Sequence, residues 1–374
     1  MNPVELMAPD LVRFAFVAGM VLSVALYEKS HLTTGSIVVP GFFGIHIFEP
    51  GVVGASLLNS FLCFYLVHRL GPRILFMSTR TKFHLLIAVS LLLQVIWFGI
   101  TSLPSPIAVT GDMMAGFGCV IPGLIAHDMA RNGPARTALS TLLVSSVVGA
   151  AVFGLVIVAP EMSLHRGVHT TSQISFDLLL VLTISTMASV VLKLSTPLRS
   201  GGYVTAAYFV FMGTSLTTLM CILSAALVTY GICCRLLIPR MIVFGRRKFA
   251  MMLIVGALLM WGFTLALAFT GPRLPLVDHP AYAGIVILLP GLIANDMQRS
   301  GLIRVTFGLG ATTGATFIFA SLYCEIRSFG RPENVLHLAS LAALVSLACL
   351  LPGRGFDRLV RFQASGFKDR GVAS

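Results

Sequence analysis

The feature that most constrains this chain is a series of about thirteen apolar segments, several of them about 20 residues long. A helix of that length spans the hydrocarbon core of a bilayer. Only 11% of the 374 residues are charged, whereas a typical soluble domain carries about 25%. Inside a bilayer the backbone must satisfy its own hydrogen bonds, as a helix does. The sequence therefore predicts an all-α, polytopic membrane protein with about 10–13 membrane segments.

Four of the apolar segments are shorter than a normal span, and they cover residues 36–48, 113–126, 203–213 and 281–294. Segments of this length are typical of tilted or re-entrant elements. Three of them contain a proline followed by a glycine, namely Pro40–Gly41, Pro122–Gly123 and Pro290–Gly291. Proline removes a helical hydrogen bond, and glycine loosens the backbone. Each pair therefore predicts an interrupted helix, and in the last two cases the second half would start at Leu124 and Leu292.

Two interpretations of these breaks stay open. The N-terminus of a half-helix inside a membrane points unpaired N–H groups and a positive dipole end at anions. Proline and glycine are also common in membrane helices, where they produce simple packing kinks.

The letters around two of the breaks recur along the chain. The run "PGLIA" occupies residues 122–126 and 290–294, and it is followed each time by Asp-Met, then Arg, then Gly. The run "RTKFHLLI" at 80–87 resembles "RRKFAMMLI" at 246–254. A recurring order of motifs indicates internal duplication. We therefore predict two tandem copies with an extra C-terminal helix and a basic cytoplasmic tail, at residues 1–160, 174–326 and 327–374.

The orientation of the copies follows from three basic connections, Arg69–Lys82, Arg235–Lys248 and Arg354–Arg370. The positive-inside rule places such connections in the cytoplasm. If every segment crosses the membrane, each copy has six crossings. The second copy then enters the membrane from the same side as the first. The expected arrangement is a parallel repeat about an axis along the membrane normal, with the N-terminus outside.

Polar residues that follow both repeated breaks form the first predicted site. They are His127, Asp128 and Arg131 in the first copy and Asn295, Asp296 and Arg299 in the second. Asp and Arg at i and i+3 share a helix face and can pair, which limits the cost of charge near the bilayer. One interpretation is a polar throat that binds part of an anionic substrate. The other is a polar turn at a cytoplasmic helix end.

A second predicted site is the basic run Arg246, Arg247 and Lys248, which enters a helix from the cytoplasmic side. Arginine presents a planar fork that suits carboxylates. We expect this run to form the mouth of a path for an anion or a docking surface for a partner, with Arg131 and Arg299 as an inner set. The alternative is that the run only anchors the topology.

The chain carries no sequence signature of catalysis or metal binding. It has no GxSxG, P-loop or HExxH pattern, and its seven cysteines include no CxxC pair. We therefore expect no catalytic residue, no metal and no cofactor. Energy for synthesis or transport would come from a partner or from an ion gradient.

Four stretches of this chain resemble the PgsC/CapC family, the integral membrane subunit of the bacterial poly-γ-glutamate synthase complex. They are "EKSHLTTGSIVVPG" (28–41), "FGRRKFAMMLI" (244–254), "GIVILLPGLIANDMQRSGL" (284–302) and "GATFIF" (314–319). The usual member of the family is similar to one copy. By this resemblance the chain is a tandem-duplicated form that covers two fused members.

The resemblance implies a function that the residues alone do not give. In that family the membrane subunit works with a cytosolic or membrane-associated, ATP-dependent poly-γ-glutamate ligase (PgsB/CapB-like) and with a membrane-anchored subunit (PgsA/CapA-like). The chain would then be a non-catalytic platform, or platform and conduit, for the anionic polymer in the inner membrane of a bacterial cell. Its implied partners are these subunits, the polymer and the lipid bilayer, with no nucleic acid.

The two copies depart from the family pattern in different places. The first copy reads "MSTRTK" before the helix that begins "FHLLI", and it has His127 and Ala130 in its polar cluster. In the second copy, alignment by the flanking letters puts Ala207 and Tyr208 in place of Pro40 and Gly41. Each copy keeps motifs that the other lacks, which predicts one functional unit assembled from both.

Three other functions stay open. Parallel repeats and broken helices also suit a stand-alone secondary transporter of a small anion. A membrane scaffold without substrate contact would need only the basic loops. A membrane-embedded enzyme is the least favoured, because the sequence offers no nucleophile, base or metal site.

Overall fold

A computed structural model describes residues 7–70, 79–101, 116–158, 172–195, 198–202, 204–212, 216–241, 245–270 and 280–327. Every regular element in these ranges is helical. The predicted all-α membrane protein is therefore confirmed for the described part of the chain. The predicted C-terminal helix and basic tail lie outside the described residues, apart from residue 327.

The described part of the first copy contains six α-helices. In chain order they are α1 Met7–Ser30, α2 Val39–Ile45, α3 Pro50–Phe64, α4 Thr79–Thr101, α5 Ile121–Asn132 and α6 Pro134–Val158. A π-helical turn, Tyr65–Leu70, extends α3, and a 3₁₀ turn, Gly116–Cys119, precedes α5.

The second copy repeats this order of long and short helices. Its helices are α7 Ser172–Ser195, α8 Thr205–Met212, α9 Leu216–Ile232, α10 Arg246–Thr270, α11 Pro280–Val286, α12 Leu289–Ser300 and α13 Leu302–Arg327. A π-helical turn, Cys233–Leu237, extends α9 as the matching turn extends α3, and a last helical turn, Ile238–Arg240, follows it. α11 takes the place of the 3₁₀ turn of the first copy.

Six of the described helices are long and apolar enough to cross a membrane, namely α1, α3, α6, α9, α10 and α13. Large apolar side chains on these helices are exposed, including Leu139, Val158 and Phe269. Extensive exposed apolar surface is unfavourable in water. In a bilayer these side chains face lipid, so the outside of the bundle fits a multi-pass membrane protein.

The Pro-Gly pairs lie at helix starts rather than inside helices. Helices α2, α5 and α12 begin one residue before Pro40, Pro122 and Pro290, respectively. The first turn of a helix makes no intrahelical use of the N–H that proline lacks, so proline is tolerated there. The half-helices α5 and α12 therefore start three residues before Leu124 and Leu292, the starts expected from the sequence.

The glycine of each repeated pair lets its helix approach a longer neighbour. A Cβ atom added at Gly123 would lie 3.1 Å from the Cα of Ile87 in α4, and one at Gly291 would lie 2.7 Å from the Cα of Leu253 in α10. A Cβ at Gly256 of α10 would lie 2.6 Å from the nitrogen of Gly291. Only glycine permits such close contact between backbones.

A turn with positive φ joins the first two helices of each copy. Gly35 and Ser36 have φ values of 67° and 124°, and Gly201 and Gly202 have φ values of 71° and 118°. Such angles favour glycine, because a Cβ atom crowds the backbone there. The matching angles align the copies at this place with an offset of 166 residues (201 − 35).

This offset corrects the alignment of α8 with α2. Pro40 and Gly41 correspond to Ala206 and Ala207, and not to Ala207 and Tyr208 as the letters alone suggested. The start of α8 agrees, because α2 and α8 each begin one residue before the aligned pair. The second copy therefore keeps this short helix without its Pro-Gly pair.

Helices α4 and α1 run in opposite directions in the first copy. α5 is antiparallel to α4, because Gly123 packs at Ile87 while His127 packs edge-on against Phe83. α5 ends beside the turn that follows α1. The ends of α1 and α5 therefore lie together, at the start of α4.

Helix α10, the counterpart of α4, is also antiparallel to α1. Arg246 at its start lies over Tyr27 near the end of α1, and Trp261 further along donates a 2.7 Å hydrogen bond to Asp10 near the start of α1. α4 and α10 thus point the same way across the membrane. The two copies therefore have the same orientation, which confirms the predicted parallel repeat.

The copies meet in two reciprocal seams. α1 packs against α10, and α7, the counterpart of α1, packs against α4. Each seam joins the first helix of one copy to the fourth helix of the other, as expected for a two-fold relation. At the far end of the α1–α10 seam, Arg13 is fully buried and lies 2.8 Å from the Asp10 carboxylate, which also accepts from Trp261.

Candidate functional site

Charged residues of the two copies meet at one end of the α1–α10 seam. Arg246, the first residue of α10, donates twice to the Asp128 carboxylate of α5, with Nη2–Oδ2 at 3.0 Å and Nη1–Oδ1 at 3.4 Å. The exposed fraction is 17% for the Arg246 side chain and 5% for that of Asp128. Two-pronged pairs between arginine and a carboxylate are strong and directional. This pair therefore ties the first copy to the second.

A second contact holds Arg246 in place. Its guanidinium carbon lies 5.4 Å from the centre of the Tyr27 ring of α1, and the face of an aromatic ring attracts a cation. A cation at the start of a helix opposes the helix dipole. Asp128 and Tyr27 offset this unfavourable field, so α10 can begin with a charged residue here.

Arg247 extends the junction towards solvent. It forms an ion pair with Glu28 near the end of α1, and both side chains are exposed, by 51% and 39%. An exposed pair of this kind contributes little to stability, and its cation stays accessible to other anions. The next residue, Lys248, is half-buried.

His127 lies beside Asp128 on α5 and is half-buried. Its ring packs edge-on against Phe83 of α4, with the ring centres 4.8 Å apart. The imidazole therefore lines the α4 side of the junction, while Asp128 faces α10.

The second copy has a different cluster at the equivalent place. The Asp296 carboxylate of α12 lies 3.4 Å from Nη1 of Arg199, which belongs to the turn between α7 and α8. Asn295, the counterpart of His127, is only 6% exposed. The sequence-based prediction omitted Arg199. The one sequence feature that could have pointed to Arg199 is its position two residues before Gly201 in the repeated turn. The first copy has Thr33 at the equivalent position.

Hydrogen bonds close this turn in the first copy. Asn132 Nδ2 donates to Thr33 Oγ1 at 2.7 Å, and the Ser140 hydroxyl donates to the Thr33 carbonyl, also at 2.7 Å. Thr33 itself is only 3% exposed. The same backbone turn is therefore neutral and closed in the first copy, and it carries an accessible cation in the second.

The burial of the cations does not follow the predicted division into an inner set and a mouth. Arg131 and Arg299, expected as an inner set, are exposed, whereas Arg246, expected at the mouth, is mostly buried. Within the described ranges Asp128 pairs with Arg246 and not with Arg131. A two-pronged contact to the other copy has replaced the local i, i+3 pair that the spacing suggested.

The starts of the half-helices do not face these charges. Gly123 precedes Asp128 by five residues, which is about 8 Å along α5. The Gly123 N–H donates to the Ser90 hydroxyl at 3.0 Å. Pro290 and Gly291 are likewise buried at the start of α12. The breaks therefore serve helix packing, and the charges gather at the opposite ends of α5 and α12.

Chemically, the junction offers accessible cations around a fixed ion pair. The exposed cations near it include Arg131, Arg247 and Arg299. Within the part of the chain that the structure describes, no group of three or more His, Cys, Asp or Glu residues is placed to hold a metal ion. The arrangement can bind and align anionic groups.

These features define a polytopic helical membrane protein built from two parallel copies, with an ion-paired junction at one end. The family model for capsule biosynthesis CapC matches the chain twice, at residues 18–138 and 184–306. The chain therefore belongs to the CapC family of capsule biosynthesis proteins, in a two-copy form.

Curated relatives agree with this assignment. The PGA biosynthesis protein CapC of Bacillus subtilis (strain 168) is 34% identical over 148 residues, which cover 39% of this chain and 95% of the relative. The capsule biosynthesis protein CapC of Bacillus anthracis is 31% identical over 147 residues, with the same two shares. No solved structure matches. A stretch the length of one copy thus accounts for nearly all of either relative, and the resemblance to PgsC/CapC is confirmed.

Proposed function

We propose that this protein is the membrane subunit of a bacterial complex that makes and exports poly-γ-glutamate, and that it acts as platform and conduit for the polymer. It forms no covalent bond itself. A partner ligase extends the chain with ATP, and a membrane-anchored subunit completes the complex in the inner membrane.

Family membership supports the polymer as the client of this chain. The two relatives are named for PGA and capsule biosynthesis. The match covers 95% of the length of each relative. The polymer is a polyanion, so its subunit needs accessible cations. The basic composition, with a formal net charge of +12, agrees with such a client.

The observation that carries the proposal is the set of cations around the Arg246–Asp128 pair. The positive-inside rule assigns this end of the bundle to the cytoplasm, where a ligase would deliver polymer. Arg131, Arg247 and Arg299 present guanidinium forks suited to carboxylates. Because the buried pair fixes the two copies against each other, a polyanion would meet several cations at a constant spacing.

The α1–α10 seam supports the role of a conduit, because it carries buried arginines at both ends. Arg246 lies at the cytoplasmic end, and Arg13 is fully buried beside Asp10. Arg13 precedes Tyr27 by fourteen residues, which is about 21 Å along α1. Arginine–carboxylate pairs at two depths along one seam indicate that carboxylates are tolerated there when an arginine lies beside them.

Complementation tests the proposed function. The chain is expressed in a Bacillus subtilis strain that lacks its own CapC, and secreted poly-γ-glutamate is measured against the deletion strain. Restored secretion is expected, with the host ligase or with the ligase from the source organism of this chain. Normal membrane insertion without polymer in either combination would reject the proposal.

A stand-alone secondary transporter of a small anion is the second candidate, because parallel repeats with broken membrane segments also occur in that class. Proteoliposomes that contain only this chain distinguish the two functions. Ion-driven uptake of labelled glutamate or another small carboxylate would favour the transporter. Under the main proposal the protein alone takes up none.

A further inference from the structure

The ion pair between Glu28 and Arg247 is open to solvent from both of its helices. Glu28 lies near the end of α1 and Arg247 at the start of α10, and their side chains are exposed by 39% and 51%. The carboxylates of Asp128 and Asp296 also pair with arginines, but their side chains are exposed by only 5% and 17%. Of these three pairs, Glu28–Arg247 is therefore the one that a dissolved anion reaches most easily.

The exposed pair contributes little to holding the two copies together. Exposed ion pairs are weak because water and salt screen both charges, and the mostly buried Arg246–Asp128 pair already joins the copies at this place. An incoming carboxylate that replaces Glu28 at the Arg247 guanidinium keeps the number of ion pairs the same and releases Glu28 into water. The exchange is therefore nearly neutral in free energy.

A neighbouring contact keeps Glu28 beside Arg247 even when the ion pair opens. Tyr27, the residue before Glu28, has its ring centre 5.4 Å from the guanidinium carbon of Arg246. Arg246 in turn is the residue before Arg247. A carboxylate that is tethered next to its cation has a high effective concentration, as in any intramolecular binding step. Glu28 thus re-forms the pair as soon as another anion leaves.

The reciprocal seam between α4 and α7 has neither partner of this pair. At the offset of 166 residues that relates the copies (247 − 81 and 194 − 28), Thr81 stands at the position of Arg247. Leu194 stands at the position of Glu28. Both charges are present in one seam and both are missing from the sequence of the other, which indicates that they act as a unit.

These observations give Glu28 a role in the handling of an anion. We propose that Glu28 competes with the polymer for Arg247: its carboxylate pairs with the guanidinium when no polymer is bound, and a carboxylate of the polymer displaces it. The two competitors have the same chemistry, since both are carboxylates on flexible chains. The inference rests on the proposed function and adds a residue that sets how tightly the polymer is held.

A competing carboxylate suits a site through which a polyanion moves. A moving ligand must bind favourably enough to enter and weakly enough to leave each contact. Without Glu28, a carboxylate of the polymer would meet an uncompensated Arg247 and stay there longer. With Glu28, each departing carboxylate is replaced, so no bare cation is left behind.

The test measures binding of a synthetic oligo-γ-glutamate to the purified full chain in nanodiscs of zwitterionic lipid. Glu28→Gln removes the competing charge and keeps the size of the side chain. We expect the affinity for the oligomer to rise about three- to fivefold, which is the range that opening an exposed ion pair can cost. The melting temperature should change little, because the lost pair is exposed.

A double-mutant cycle separates competition for Arg247 from a change in net charge. Arg247→Gln should lower the affinity for the oligomer, and Glu28→Gln added to it should have little further effect, because the contested cation is gone. Glu49→Gln is the matched control, since it also removes one carboxylate. Glu49 pairs with His46 and not with an arginine, so its loss should leave the affinity unchanged.

Three results would overturn the inference. One is unchanged affinity in Glu28→Gln. Another is an equal rise in affinity with and without Arg247, which would reflect net charge alone. The third is no oligomer binding by a wild-type chain that still restores polymer secretion in the Bacillus subtilis deletion strain, which would reject the competition and leave the proposed function intact.

Discussion

At the residue scale, the adjacent residues Arg246 and Arg247 have different roles that the sequence does not separate. The guanidinium of Arg246 closes a two-pronged pair with Asp128 and lies over the Tyr27 ring, so three helices from both copies meet on one side chain. Arg247, one residue later, pairs with Glu28 in an exposed position. The first arginine therefore holds the copies together, and the second remains available to an anionic partner.

Arg246→Gln should destabilise the protein substantially. Removing one partner of a mostly buried ion pair leaves Asp128 as an uncompensated charge, and we expect a loss of about 3 kcal/mol in the free energy of unfolding. Equilibrium unfolding of the purified protein in mixed detergent micelles measures this loss. The double variant Asp128→Asn with Arg246→Gln should lose less than the single variant, because no buried charge remains unpaired.

Arg247→Gln is the matched control on the neighbouring residue. Its pair with Glu28 is exposed, so we expect a loss below about 1 kcal/mol. Similar losses for both single variants would show that Arg246 is an ordinary surface cation and that Asp128 does not depend on it.

The sequence identified most charged residues of the junction but not their pairing. His127, Asp128 and Arg246 were predicted from motif and position, and the structure places them at one end of the bundle. Asp128 and Arg246 are 118 positions apart, and no local spacing rule covers such a distance. Arg199 was omitted because a single arginine in a polar turn has no periodic or motif signal.

At the element scale, the short helices act as packing elements. The Pro-Gly pair starts the helix, and its glycine lets a neighbouring helix approach closely. The sequence predicted that the chain breaks at these places, because proline and glycine disrupt a continuous helix. It could not place the helix start, since proline is also favourable in a first turn. That choice depends on the neighbouring helix.

Gly256→Ala should push α10 away from α12. The added Cβ would lie 2.6 Å from the Gly291 nitrogen, and overpacking of this kind typically costs about 1–3 kcal/mol. Thermal unfolding in detergent should therefore show a clear drop in midpoint. Gly262→Ala on the same helix has nothing within 4 Å of the new Cβ, so it should be neutral or gain up to about 1 kcal/mol from helix propensity. Equal behaviour of the two variants would mean that α10 and α12 can separate freely.

At the scale of the whole molecule, the chain is a fused pair with unequal halves. The parallel orientation followed from the basic loops, because the positive-inside rule gives the side of each connection. The reciprocal seams α1–α10 and α4–α7 did not follow from the sequence, because lipid-facing and helix-facing positions are both apolar. The alignment near Pro40 also needed the structure, since only the positive φ of Gly35 and Gly201 fixes the register.

The two halves should associate even when the chain is cut. We expect polypeptides divided between residues 158 and 172, and expressed together, to co-purify through the two seams. Asp128→Arg in the first half should weaken co-purification, because it faces Arg246 across the junction. Arg246→Asp in the second half should then restore part of it. Halves that never co-purify, or a charge exchange without effect, would contradict the cross-copy junction.

The most direct measurement follows polymer across a membrane. Inverted vesicles that contain this chain and a poly-γ-glutamate ligase receive ATP and labelled glutamate, and the label protected from an added γ-glutamyl hydrolase is counted. We predict protected polymer with the wild-type chain. We expect about tenfold less with Arg131→Gln, Arg247→Gln and Arg299→Gln combined, since exposed cations concentrate a polyanion at the entry. Equal protection with the triple variant, or with no chain present, would contradict the proposed path.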